Sequence, residues 1–171
     1  MDQGILIARL VIGSIMAAHG AQKAFGWFGG YGLAGTGAFF ENLGFKPGKL
    51  FAAAAAYGEI VSGLLLAAGF LGPIGPALML SVMVVAAVTV HWPHGLFAQS
   101  NGIELPLLYA IAGVTIALTG PGRFSLDALL GLGWLSSPLI AWSALGAAAI
   151  AAAANLALRR HEVPASAPAA H

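Results

Sequence analysis

Long apolar stretches separated by turn residues constrain this chain more than any other feature of its sequence. Hydrophobic residues make up 59% of the 171 positions and charged residues only 8%, whereas about a quarter of a typical soluble domain is charged. The mean hydropathy of +0.88 allows about four or five membrane spans of roughly 20 residues each. The composition therefore excludes a soluble fold and predicts an all-α integral membrane helical bundle.

Charge balance and cysteine content exclude several further classes of protein. Seven basic residues against six acidic ones give a net charge of +1, and no basic run suggests a nucleic-acid partner. The absence of cysteine excludes disulfides, thiol chemistry and thiolate metal sites. His19 and His91 lie on separate segments, and because no helix carries two histidines at ligand spacing, no metal site is predicted.

Five apolar stretches are predicted to cross the membrane, at about residues 4–24, 50–71, 74–92, 106–120 and 139–158. The first stretch is preceded by Asp2 instead of the basic segment of a signal peptide, so it is expected to remain as a helix. The fourth is short for a bilayer, at roughly 22 Å. The fifth is rich in alanine, and its insertion is the least strongly specified of the five.

The remaining segments connect or follow these spans. Residues 25–45 are rich in glycine and aromatic residues, which favours an interfacial or re-entrant loop with a short amphipathic helix at the level of the lipid headgroups. The alternative is a disordered glycine loop. Residues 1–127 are predicted to form the main bundle, residues 128–160 an additional transmembrane helix, and residues 161–171 a disordered tail.

Ionisable side chains within the spans are few, and each costs about 2.5–3.5 kcal/mol to insert. At 100° per residue, Arg9, His19 and Lys23 share one face of the first helix, which we expect to point into the bundle. Arg9 and Lys23 also lie near the helix ends, where they have the alternative of extending to the headgroups.

Alternating spans bring several polar residues to the membrane side opposite the N-terminus, called the far end here. Glu59 is the deepest carboxylate, roughly 13 Å into the second span. A binding site is predicted at this end from His19, Lys23, Trp27, Phe28, Glu59, His91 and Glu104. At the opposite, near end, Arg123 and Asp127 are predicted to form a structural ion pair.

The far-end residues suit a flat lipophilic molecule with carbonyl or hydroxyl oxygens, such as a quinone. Histidine and lysine donate hydrogen bonds, glutamate accepts them, and aromatic rings provide faces for stacking. In this interpretation the histidines contact a quinone oxygen, Glu59 sets their charge, Lys23 offsets Glu104, and Trp27 and Phe28 cover the ring. Three alternatives remain open: a polar cluster that only stabilises the bundle, a small-solute transporter or channel, and an assembly subunit without chemistry of its own.

Short motifs along the chain also resemble those of a known family. They are HGAQKAFGWFGG at 19–30, GT at 35–36 with Phe39-Phe40, Glu59 ahead of GLLL at 63–66, His91 with GLF at 95–97, Gly102 and Glu104 before PLL at 106–108, and TGPGR at 119–123 with SLD at 125–127. In this combination the sequence resembles the DoxX family of small prokaryotic membrane proteins over roughly residues 5–127.

The resemblance implies a four-helix membrane bundle in the prokaryotic cell membrane, to which the helix at 139–158 is an addition. Family members are linked to thiosulfate:quinone oxidoreductase, to oxidant-defence membrane complexes and to quinone or catechol resistance. The resemblance thus implies a redox-associated role, a quinone as bound ligand and other oxidoreductase subunits as partners besides the lipid bilayer. It supplies no catalytic residues.

Basic residues concentrate on cytoplasmic loops, which predicts the orientation of the chain. If the fifth helix crosses the membrane, the far end carries five basic residues, Lys23, Lys46, Lys49, Arg159 and Arg160. The near end then carries two, Arg9 and Arg123. The far end is therefore predicted to face the cytoplasm.

Overall fold

A computed structural model describes residues 2–160 as a bundle of helices. The helices are α1 (Asp2–Phe25), α2 (Gly32–Asn42), α3 (Gly48–Ala68), α4 (Ile74–Ala86), α5 (Glu104–Thr119), α6 (Leu126–Leu129) and α7 (Pro138–Ala157). No strand occurs within the described range. The predicted all-α membrane bundle is confirmed, whereas the tail predicted at residues 161–171 lies outside the described residues.

Helices α1 and α3 form the closest pair in the bundle because glycines face each other across their contact. A Cβ atom on Gly13 would lie 2.5 Å from the carbonyl oxygen of Gly63 and 2.7 Å from the amide nitrogen of Ala67. Only glycine permits this approach of two backbones, as is common between membrane helices. This close approach brings Lys23 of α1 within reach of Glu59 of α3.

Helices α3 and α4 are joined by a tight turn at the near end. Gly69 ends α3 in the left-handed region, with φ +63°, which glycine adopts without steric cost. At the far end α4 widens into a π-helical turn, Ala87–His91, followed by a single 3₁₀ turn, Trp92–His94. Because Pro93 cannot continue the helix, the chain leaves the bundle here.

Helix α7 packs against α4 and α5 and extends across the bundle to the far end. There the Nε of Arg159 donates to the carbonyl of Leu43 at 2.6 Å, and the amide of Arg160 donates to the carbonyl of Gly44 at 2.8 Å. These bonds fix the end of α7 beside the connection between α2 and α3. The C-terminal basic residues therefore lie at the far end, as the sequence predicted for an inserted fifth helix.

Four helical segments in the described range are long and apolar enough to span a membrane, namely Asp2–Phe25, Gly48–Ala68, Ile74–His94 and Pro138–Ala157. Helix α5 has 16 residues and is shorter, in agreement with the short fourth span predicted. The segment at residues 25–45 contains the 11-residue helix α2, as expected, in place of a wholly irregular glycine loop.

Candidate functional site

Glu59 of α3 forms a buried ion pair with Lys23 of α1. The Nζ of Lys23 donates to Oε1 of Glu59, whose side chain is 1% exposed, whereas the side chain of Lys23 is 33% exposed. The Oε2 atom of Glu59 is buried and has no hydrogen-bond partner among the described residues. The pair therefore joins a partly exposed cation to an incompletely satisfied buried carboxylate, and Lys23 does not extend to the headgroups.

His19 and Tyr109 complete the surroundings of this pair. The ring of His19 on α1 meets the ring of Tyr109 on α5 edge to face, with centroids 6.2 Å apart. Both side chains interact electrostatically with Glu59. The Lys23–Glu59 pair, His19 and Tyr109 are called the Glu59 site below. Three helices contribute to it.

Gln22 connects the Glu59 site to the exposed aromatic residues at the end of α1. Its Nε2 donates to the carbonyl of Phe28 at 3.3 Å, and its Oε1 lies 3.2 Å from Nδ1 of His19. This contact holds the backbone of Phe28, which has a φ of +53°. Such a conformation is uncommon for a bulky residue. One side chain thus couples the position of the aromatic turn to that of His19.

The aromatic residues themselves form an exposed aromatic cluster. The rings of Phe25 and Trp27 lie 5.1 Å apart, and the ring of Trp27 meets that of Phe28 at 6.3 Å and 90°. Tyr57, two residues before Glu59, contacts Phe25 at 6.5 Å. Trp27 is 59% exposed and Phe28 is 71% exposed, so these rings present unpaired faces at the far end.

The structure does not bring every predicted site residue to Glu59. Nδ1 of His91 lies 2.7 Å from the carbonyl oxygen of Asn101 and is therefore the donor. Glu104 accepts from the amide of Ala98 at 2.8 Å. Both residues thus stabilise the connection between α4 and α5. The predicted pairing of Lys23 with Glu104 is wrong, because Lys23 reaches the deeper carboxylate.

The predicted ion pair between Arg123 and Asp127 at the near end is also replaced by other contacts. Asp127 is buried and accepts from the amides of Leu71 and Gly72, at 2.9 and 2.6 Å. The cation that interacts with it is Arg9, which is also buried and donates to the carbonyl of Phe124 at 2.5 Å. Arg9 therefore does not extend to the headgroups.

Two open cavities of about 580 and 290 Å³ lie at the near end, and neither was predicted from the sequence. Both are lined by residues of the segment that follows α5. The guanidinium of Arg123 stacks on the ring of Phe124, with 5.5 Å from Cζ to the ring centroid. Glu59 lines neither cavity; the larger one adjoins Ala68, the last residue of α3, nine positions after Glu59.

Tightly packed residues fill the space between the near-end and far-end polar groups. Met16 and Ser62 are completely buried, and the hydroxyl of Ser62 donates back to the carbonyl of Glu59 at 3.1 Å. Gly13 and Gly63 bring the backbones of α1 and α3 into contact at this level. In this conformation the seam between α1 and α3 contains packed atoms and not a continuous polar path.

Sequence comparison identifies the group of proteins to which this architecture belongs. A family model described as DoxX matches residues 4–92, just over half of the 171 residues. The chain belongs to the DoxX family. The match covers α1 to α4 with Lys23 and Glu59, and it ends before Tyr109 on α5. No curated protein and no solved structure gives a significant match to the chain.

DoxX membership and the apolar helices together make this chain a multi-pass membrane protein. Within residues 2–160, no three His, Asp or Glu side chains are grouped as ligands for a metal ion. The Glu59 site offers one ammonium donor, one carboxylate oxygen without a partner among the described residues, one imidazole and one phenol.

Sequence reasoning missed Gln22 and Tyr109 as members of this arrangement. Tyr109 is the first residue after Glu104 in α5 that carries a side-chain hydrogen-bonding group, and a polar aromatic residue within an apolar span was the available signal. Gln22 is one helical turn beyond His19, a spacing at which side chains on one helix meet. Both residues could therefore have been identified from their positions among apolar neighbours.

Proposed function

We propose that this DoxX protein binds a quinone at the Glu59 site, as one subunit of a membrane oxidoreductase system in the prokaryotic cell membrane. The observation that carries the proposal is the Lys23–Glu59 pair, in which a buried carboxylate keeps one oxygen without a partner. A purely structural ion pair gains stability when every polar atom is satisfied. An incomplete pair is instead expected where a ligand supplies the missing contact.

The chemical groups around the pair match those that a quinone headgroup needs. The ammonium of Lys23 is a donor for a quinone oxygen, and the His19 and Tyr109 rings provide further polar atoms together with apolar faces. The exposed aromatic cluster at Phe25, Trp27 and Phe28 offers surfaces on which an aromatic headgroup packs. Since His19 is exposed, a ligand has access from the surrounding lipid.

The far end is proposed to face the cytoplasm, and the redox partner subunit is proposed to dock there. With α7 crossing the bundle, the basic residues Arg159 and Arg160 join Lys49 at that end. Basic residues favour the cytoplasmic side. We propose that a separate subunit exchanges electrons with the quinone; the chain has no cysteine and so contributes no thiol or thiolate-bound cluster itself.

The transporter alternative receives less support than the quinone site. A transported polar solute needs a route from Glu59 to Arg9 and Asp127 at the near end. That route passes the seam where Gly13 and Gly63 are in close contact, so it would require α1 and α3 to separate. No observation favours such a separation.

Photo-crosslinking with an azido-quinone tests the position of the site. We expect light-dependent labelling of purified protein in lipid nanodiscs to occur on residues 16–25 of α1, on the turn that follows at 26–28 and on the first half of α5, and an excess of unlabelled quinone to suppress it. Labelling confined to Arg123, Phe124 and the other residues that line the near-end cavities would show that the quinone binds there instead, and the proposal would fail.

A pair of variants separates loss of the site from loss of the fold. Replacing Lys23 and Glu59 together, as Lys23→Met with Glu59→Leu, removes both charges and preserves approximate volume, a change that is often neutral or stabilising for a buried ion pair. Labelling of α1 and α5 should then disappear. The matched control is Glu41→Gln, which removes a carboxylate at the same end whose role is to accept from the amide of Gly48, and labelling should persist.

A further inference from the structure

The two acceptor atoms at the Glu59 site point to the oxidation state of its ligand. Oε2 of Glu59 is buried without a partner among residues 2–160. A carboxylate oxygen accepts hydrogen bonds and cannot donate them, so a ligand that satisfies it must bring a hydroxyl or amine hydrogen. A quinone carbonyl brings none, whereas the corresponding quinol brings two hydroxyl groups.

His19 offers a second acceptor through the contacts of Gln22. Because Nε2 of Gln22 donates to the carbonyl of Phe28, its Oε1 is the atom that faces Nδ1 of His19. That oxygen only accepts, so the hydrogen-bond network assigns the proton of the neutral imidazole to Nδ1. Nε2 of His19 then carries a lone pair, and it too is complementary to a hydroxyl group.

We propose that the Glu59 site binds the reduced, dihydroxy form of a lipophilic aromatic ring in preference to the oxidised quinone, with Oε2 of Glu59 and Nε2 of His19 as hydroxyl acceptors. This inference rests on the proposed function and specifies the form of the ligand that the site retains. Lys23 is the remaining donor, and it stays with Oε1 of Glu59 while the hydroxyl occupies Oε2.

The position of Lys23 gives the ligand a route to the buried oxygen. Glu59 is almost completely covered, but the Lys23 side chain that contacts it is one-third exposed. A long flexible side chain changes rotamer on the nanosecond timescale, so we infer that a transient displacement of Lys23 admits the ligand, after which Lys23 returns to Oε1. The exposed ring of His19 lies four residues before Lys23 on the same face of α1.

Equilibrium binding of one ring in two oxidation states tests this inference. The probes are a decyl-tailed ubiquinol and the corresponding decyl-tailed ubiquinone, titrated under argon into the protein in neutral phospholipid nanodiscs, with empty nanodiscs subtracted. Because a hydrogen bond to a buried carboxylate is stronger than a neutral one, we expect the quinol to bind about tenfold tighter than the quinone.

The Glu59→Gln variant should abolish or reverse the preference for the quinol. If Lys23 continues to donate to Oε1, the amide places an NH₂ donor where the free oxygen was, so quinol affinity falls about tenfold and quinone affinity is kept or raised. The Glu41→Gln control should keep the wild-type preference. If Glu59→Gln does not fold, the Lys23→Met, Glu59→Leu double variant takes its place and should lose binding of both forms; a quinol preference retained by that variant would overturn the inference.

The possible results separate this inference from the proposed function. Equal affinity of the wild-type protein for the two forms, as expected if an ordered water satisfies Oε2, overturns the inference and leaves quinone binding intact. Tighter binding of the quinone also overturns it. Absence of binding for both forms contradicts the proposed function and the inference together.

Discussion

The residue that distinguishes this bundle from a simple apolar scaffold is Glu59. A carboxylate inside a membrane helix is costly, and here one of its oxygens receives Lys23 while the other receives nothing from the described residues. Asp127 at the near end is the contrasting case, because both of its oxygens accept backbone amide hydrogens. The two buried acids thus differ in how far the protein satisfies them, which is why Glu59 is assigned a ligand and Asp127 is assigned a structural role.

The structural role of Asp127 predicts a large loss of stability when it is removed. In Asp127→Ala the amides of Leu71 and Gly72 lose their acceptor, and buried Arg9 loses its compensating charge, so we expect the free energy of unfolding to fall by about 3 kcal/mol. Unfolding by denaturant in detergent micelles measures this change.

Arg123→Ala is the matched control for that variant, since Arg123 was the sequence-predicted partner of Asp127 but is exposed and stacks on Phe124. Its effect should stay within about 0.5 kcal/mol. If the two variants lose comparable free energy of unfolding, the result would support the Arg123–Asp127 pair and contradict the structure.

At the residue scale, the types of side chain at the site could be predicted but their pairing could not. Charges rare enough to be conspicuous identified Lys23, Glu59 and Asp127 directly. Their partners depend on how deep each helix places its residues: Lys23 reaches Glu59 and not Glu104, and Asp127 binds main-chain amides of a turn. Backbone acceptors and donors leave no mark on a sequence, so the near-end error was unavoidable from composition alone.

At the scale of the helices, the seam between α1 and α3 holds the Glu59 site in place. Lys23 and Glu59 meet because Gly13 lies against Gly63, and Gly20 against Ala56 and Ile60, which brings the two helix backbones together. Periodicity placed the helices correctly, and it placed Arg9, His19 and Lys23 on one face of α1. Periodicity did not predict which helix packs against that face of α1, since small residues allow more than one helix to approach closely.

Adding a single methyl group in this seam should separate α1 from α3. A Cβ on Gly13 meets backbone atoms of α3 at 2.5 and 2.7 Å, and backbone cannot move aside, so Gly13→Ala should cost about 1–3 kcal/mol. It should also weaken quinone binding, because Lys23 and Glu59 move apart.

Gly146→Ala in α7 provides the control, as nothing lies within 4 Å of the added Cβ. Removing a glycine from a helix interior should leave the stability unchanged or raise it by about 0.5 kcal/mol. Thermal unfolding in the same detergent compares the two variants. If both glycines tolerate alanine equally, the close approach of α1 and α3 is incorrect.

At the scale of the whole molecule, α7 determines how charge is distributed between the two ends. Arg159 and Arg160, which follow α7, donate hydrogen bonds to the carbonyls of Leu43 and Gly44. Both arginines therefore lie at the far end. The sequence predicted this arrangement only on the condition that the alanine-rich segment inserts. Hydropathy identifies an apolar helix but does not reveal its tertiary contacts, so the contact with residues 43–44 had to come from the structure.

Cysteine labelling tests this topology cleanly because the chain has no cysteine of its own. We expect Gln99→Cys and Arg160→Cys, both at the far end, to react with an impermeant maleimide only after the cells are opened. Prior treatment with a membrane-permeant blocking reagent should abolish this reaction. Leu129→Cys at the near end should react with an impermeant maleimide in intact spheroplasts. Opposite accessibility of Gln99→Cys and Arg160→Cys would show that α7 does not cross the bundle as described.

The most direct test of a quinone site at Glu59 is the amount of quinone that copurifies with each chain in mild detergent, quantified by mass spectrometry after solvent extraction. We expect close to one quinone per wild-type chain and per Glu41→Gln chain, and almost none in the folded Lys23→Met, Glu59→Leu variant. Equal amounts of quinone in the wild-type and double-variant proteins, or phospholipid alone in all three, would contradict it.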